Sequence, residues 1–152
     1  MPFDFALETE GLVKSYNTKR VVDGVDLQVG KGEIVGFLGP NGAGKTTVMN
    51  IVTGLVSSDS GEVRLLGEKD GFRRPDVRRR LGCLQEKPRV YPEMTAREYL
   101  GFFADLYGVS DAAKGIDEVL DRVALREAAD RPWSAFSRGM QQRACLARSL
   151  LH

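Results

Sequence analysis

Gly39-Pro40-Asn41-Gly42-Ala43-Gly44-Lys45-Thr46-Thr47 fits the pattern G-x-x-x-x-G-K-[ST]. The apolar run Glu33-Ile34-Val35-Gly36-Phe37-Leu38 just before it predicts a short buried strand. Beyond it, Val48, Ile51, Val52 and Leu55 recur at helical spacing, and Gly54 marks a stop. Strand, glycine loop and helix form the context this pattern requires. Gly39, Gly42 and Gly44 permit backbone angles that a side chain forbids, so that N–H groups can turn inward and cradle phosphate oxygens. The positive end of the following helix favours the same anion. Lys45 adds a compact charge for the outer phosphates. The Thr46 hydroxyl suits Mg²⁺, which prefers oxygen ligands.

The 152 residues suit one domain. With 28% charged residues and a net charge of +1, the composition offers no bulk field for nucleic acid or acidic lipid. Cys83 and Cys145 form no C-x-x-C pair, and a single histidine, His152, provides no metal cluster; both thiols read as reduced core residues. Met1-Pro2-Phe3-Asp4-Phe5 lacks the basic and apolar regions of a signal peptide. No run approaches the about 18 apolar residues of a membrane span, so any link to a membrane is expected to pass through a partner.

Leu7–Val13 and Val21–Val29 predict two strands joined at Asn17-Thr18. Tyr16, in that first turn, reads either as a stacking surface for a base or as a half-buried tyrosine at a strand end. Ser57–Gly61 predicts a turn and Glu62–Gly67 a strand. Arg73, Arg74, Arg78, Arg79 and Arg80 around Pro75 read as a solvated face or as a phosphate or partner contact. Leu81-Gly82-Cys83-Leu84 predicts another strand, ending at Gln85, whose amide can reach a metal ion or a water. Between Pro88 and Leu125 the pattern is helical. Thr95-Ala96-Arg97-Glu98 is a capping box with Met94 and Tyr99 placed as a staple, and this helix stops at Gly108. A second helix starts near Asp111, with Ile116, Val119, Leu120 and Val123 on one face. Trp133 and Phe136 are expected to anchor the following loop. Ser137 falls at the N-cap of a last helix that carries Met140, Ala144, Ala147 and Leu151 on one face. That terminus is either an anion site or an ordinary capped helix.

Taken in order, Tyr16, the loop at Gly39–Thr47, Gln85 and Ser137–Gln141 make the chain resemble the ATP-binding domain of an ABC transporter, from about Leu7 to the last residue. The resemblance implies an α/β fold: a P-loop NTPase core with an N-terminal antiparallel β subdomain and an inserted α-helical subdomain. It implies ATP held by Gly39, Pro40, Asn41, Gly42, Ala43, Gly44, Lys45, Thr46 and Thr47, with Tyr16 stacked on adenine. Mg²⁺ and the attacking water would lie at Thr46 and Gln85, making Lys45 and Gln85 the catalytic pair. Ser137 and Gly139 would touch the γ-phosphate of a nucleotide in a second such domain. Residues 1–87 would form the β and P-loop core, 88–140 the helical subdomain with the signature, and 141–152 the signature helix. Transmembrane permease subunits are the implied partners, at the cytoplasmic face of the cell membrane, with no nucleic acid.

The signature departs from L-S-G-G-Q: Phe136 replaces Leu, Arg138 the first Gly and Met140 the Gln. In this S-R-G-M form it is similar to those of bacterial export-type subunits. The family's Asp-Glu strand and switch histidine find no match in the chain, and His152 does not supply one. The chain therefore resembles the first part of such a domain, cut before its second Walker motif. Marginal stability, weak ATP binding and no useful turnover are the expectation. Two other functions share these residues. One is a non-hydrolysing nucleotide-binding fragment or remnant; the other is a DNA-associated ATPase, whose long coiled coils are absent between Pro88 and Leu125.

Overall fold

A computed structural model describes residues 5–84 and 89–151. The readings placed on the first four residues, on Gln85 and Pro88, and on His152 lie outside the described residues. The chain divides into two compact units, Met1–Arg78 and Arg79–His152.

The first unit is built on alternating strand sequence. Strands β1 (Phe5–Tyr16) and β2 (Lys19–Gly30) form an antiparallel hairpin in which Tyr16 pairs with Lys19 and Leu12 with Val25. The residues between them, Asn17-Thr18, form the expected turn, with Asn17 at φ 55. Strand β3 (Ser60–Leu65) adds to the other side of β1, and the short β4 (Glu68–Lys69) closes the order β2-β1-β3-β4. Leu12, Val22, Val63 and Leu65 are buried, as is Thr9, whose hydroxyl donates to the Val25 carbonyl at 3.1 Å. Helix α1 (Lys45–Val52) buries Val48, Ile51 and Val52, while Leu55 lies beyond its end, 67% exposed. Of the arginine run, Pro75–Arg78 forms a one-turn helix, α2.

Two expected strands are not strands. Residues 33–38 pair with nothing in the four-stranded sheet, and Ile34 and Leu38 stand 98% and 91% exposed. An apolar run becomes a strand only when a neighbour takes up its N–H and C=O groups, and no such neighbour occurs among the described residues. Leu81–Leu84 also forms no strand. Its backbone is engaged by a helix instead: a side chain at Gly82 would meet the Ser149 carbonyl at 2.5 Å, and the Cys83 carbonyl accepts from Arg148 at 2.8 Å.

The second unit is helical. In α3 (Ala96–Tyr107) the capping box forms in full: Glu98 N donates to Thr95 Oγ1 at 3.1 Å and Thr95 N to Glu98 Oε2 at 2.8 Å. The helix ends at Gly108 in the left-handed region, φ 69. Helices α4 (Ala112–Arg122), capped by Asp111, and α5 (Arg138–Leu150) complete the unit. Leu100, Leu120, Leu125, Ala144 and Ala147 share one core with Tyr99, Trp133 and Phe136. Both aromatics of the 133–136 loop are therefore anchored as expected, with their rings stacked 5.8 Å apart. Arg97 ties α3 to Asp117 of α4 at 2.7 Å and to Asp130 at 2.9 Å. Arg143 of α5 donates to the Val123 and Ala124 carbonyls at 2.9 and 3.0 Å, closing the C-terminal end of α4.

Candidate functional site

The glycine loop leads directly into α1, whose N-cap is Gly44 at φ 89. Only glycine takes such an angle freely. Space imposes a second demand there: a Cβ on Gly44 would run into the carbonyl of Val21 on β2. Gly44 is therefore buried while Gly39–Ala43 are exposed. The first helical hydrogen bond runs from Val48 N to Gly44 O at 2.9 Å. The N–H groups of Gly44, Lys45, Thr46 and Thr47 precede it and need acceptors from outside the helix.

Lys45 turns back over the loop. Its Nζ donates to the carbonyls of Gly39 at 2.6 Å and Pro40 at 2.8 Å, and Ala43 N closes a turn onto Pro40 O at 3.2 Å. The ammonium group thus stands on the same loop as four helix-terminal amides, and among the described residues no carboxylate forms an ion pair with it. This arrangement attracts an oxyanion. The charge sign suits phosphate oxygens, and Gly39, Gly42 and Gly44 leave three positions of the loop without a side chain. Thr46 is exposed next to Lys45, so its hydroxyl is open to a hard cation bound with such a ligand. Among the described residues no cluster of three His, Cys, Asp or Glu is arranged to hold a metal ion. Any cation here would rely on the ligand's own oxygens.

Tyr16 is the last residue of β1, 46% exposed, with Lys14 Nζ 5.7 Å from its ring centroid. It lies in the same unit as the loop, on the hairpin whose β2 backs onto Gly44. Ser137 and Gly139 belong to the other unit. Ser137 is the N-cap of α5, its Oγ accepting from Met140 N at 3.3 Å. A Cβ on Gly139 would meet Ser137 Oγ at 4.0 Å, so no contact among the described residues requires a glycine there. Sequence reasoning missed Val21, whose backbone carbonyl leaves no residue-type signal. It also missed Asp59, read only as part of a turn: its carboxylate accepts from Lys14 Nζ at 2.8 Å and Ser15 N at 2.6 Å. Those bonds hold its carboxyl below the usual range, the Lys14 bond contributing most.

The profile of the ABC transporter family matches residues 22–152. The chain is 43% identical over 147 residues to an uncharacterized ABC transporter ATP-binding protein, YcbN, of Bacillus subtilis, covering 97% of this chain and 48% of that protein. It is 39% identical to the bacitracin transport ATP-binding protein BcrA of Bacillus licheniformis, covering 96% of this chain and 47% of the relative. A solved ATP-binding subunit of an ABC transporter superposes with TM-score 0.81 at 29% identity, covering 96% of this chain and 62% of that one. The chain spans about half the length of the curated relatives it matches.

Proposed function

The chain belongs to the ABC transporter family, and we propose that it is the ATP-binding part of an energy-coupling transporter subunit. The observation that carries this reading is that Lys45 Nζ donates to the Gly39 and Pro40 carbonyls beside the start of α1, whose N-cap has no side-chain cap. An ammonium held by two neutral carbonyls can exchange them for charged phosphate oxygens, which bond it more strongly.

In this reading residues 39–47 hold the phosphates. Tyr16 stacks on the adenine, which its 46% exposure at the strand end permits. Thr46, with Gln85, would hold Mg²⁺, which would supply positive charge to offset that of the phosphates. Ser137 and Gly139 face a nucleotide carried by a second such domain, and the vacant space around Gly139 suits that close approach. Residues 1–87, 88–140 and 141–152 act as core, helical subdomain and signature helix. The partners are transmembrane permease subunits, and the site of action is the cytoplasmic face of the membrane. Among the described residues no helix is long and apolar enough to cross a membrane. Nucleic acid has no part in it. The resemblance finds no match for the family's Asp-Glu strand after the signature, so we expect these 152 residues by themselves to bind ATP weakly and without useful turnover.

The test is ATP affinity by calorimetry, with and without Lys45→Ala. Removing a charge-assisted contact of this kind costs about 1.5–3 kcal/mol, a loss on the order of 10- to 150-fold. Equal affinity in the two chains would remove the loop from the site. Turnover that Lys45→Ala abolishes would overturn the binding-only expectation.

A further inference from the structure

Asp59 stands just ahead of β3, where Val13 of β1 pairs with Ser60. An aspartate in a turn ordinarily bonds to backbone two residues on. Here both oxygens reach across to β1 instead. Oδ1 accepts from Lys14 Nζ at 2.8 Å, Oδ2 accepts from Ser15 N at 2.6 Å, and Asp59 N donates to Val13 O at 2.8 Å. Three consecutive residues are thus fixed immediately before Tyr16. Lys14 and Tyr16 lie two apart on a strand and share one face. The ammonium that Asp59 holds lies over the Tyr16 ring, 5.7 Å from its centroid. Asp59 therefore acts on Tyr16 by two routes, through the backbone at Ser15 and through the Lys14 side chain. Neither requires Asp59 to touch a ligand.

We propose that Asp59 is a positioning residue for the base of the bound nucleotide, holding the Tyr16 ring as a ready stacking platform. This rests on the reading of Tyr16 as the residue that meets adenine. An aromatic ring already fixed in its binding orientation gives up little freedom when a base stacks on it. Without Asp59, the Lys14 side chain loses its anchor and the last residues of β1 are held by their pairing with β2 alone, so part of the ordering of the Tyr16 ring falls to the ligand. The effect falls on the base, because the phosphates are assigned to residues 39–47 while Asp59's hydrogen bonds go to residues 13–15.

The experiment compares ATP with inorganic tripolyphosphate, which carries the phosphates and no base, using calorimetry on the whole chain. Asp59→Ala is expected to weaken ATP about five- to tenfold, within the range of base–aromatic stacking, and to leave tripolyphosphate unchanged. In a Tyr16→Ala background, Asp59→Ala should cost ATP nothing more, since its route to the base is already gone. The proposal fails if Asp59→Ala leaves ATP unchanged, if it weakens both ligands equally, or if the two substitutions add. A different result marks failure of the underlying reading: Tyr16→Ala alone then leaves ATP affinity intact. A parent chain that binds neither ligand ends both.

Discussion

At the scale of single residues, Gly44 and Gly139 show how two glycines of one motif set differ in physical cause. Gly44 is required by its own chain, through a φ of 89 and the Val21 carbonyl behind it. Gly44→Ala should therefore lower stability by about 1–3 kcal/mol and abolish ATP binding, as read by urea denaturation and calorimetry. Gly139 sits in a helix with open space around it. Gly139→Ala should raise stability by about 0.5–1 kcal/mol, leave ATP binding to a single chain unchanged, and weaken ATP-dependent pairing of two domains. Destabilisation by Gly139→Ala would mean that a contact inside the chain demands the glycine. The glycine pattern marks both positions alike. It cannot separate them, because the separating fact is a backbone carbonyl on another strand.

Among the elements, those legible in the sequence are the ones whose signals are local. The Thr95–Glu98 box, the stop at Gly108, the Asp111 start and the Ser137 cap all depend on residues a few positions apart, and all form. Thr95→Ala should cost about 1 kcal/mol of helical-unit stability in a denaturant melt. The core that α3 enters carries a pH dependence. Burial raises the Tyr99 hydroxyl above its ordinary 10.0 and the Cys145 thiol above 9.0, and the hydroxyl donates to the sulfur at 3.9 Å. For acids raised by folding, the neutral form is the one favoured, so the contribution is whole below the unfolded-state value and drains away as pH climbs past it. The helical unit should lose stability from about pH 9 upward, and Tyr99→Phe should flatten the part of that loss above about pH 10. Denaturation midpoints followed by circular dichroism from neutral to alkaline pH check this, and identical slopes in the two chains would count against it. Strands behave differently from helices here. Whether Glu33–Leu38 forms one depends on a neighbour that no nearby residue announces.

For the whole molecule, that same run sets the strongest constraint. Ile34 and Leu38 face solvent almost entirely, and Val35 and Phe37 are 39% and 36% exposed, although the sequence alone marks all four for burial. The family assignment and the glycine loop were legible because they rest on a fixed order of motifs. The fate of this segment was not, because it depends on sheet partners that no described residue supplies and the chain spans about half its relatives' length. A contiguous exposed apolar stretch without strand partners promotes association. In hydrogen exchange, the amides of residues 34–38 should therefore exchange without protection, while those of Leu12 and Val63, paired within the sheet core, stay protected. Replacing Ile34 and Leu38 together by serine should reduce self-association and binding of an apolar dye, yet shift the unfolding free energy by no more than about 0.5 kcal/mol, as for surface positions. Strong protection of residues 34–38 in a monomer, or a loss of several kcal/mol in the double variant, would show that this run is already packed and that the chain needs no partner to cover it.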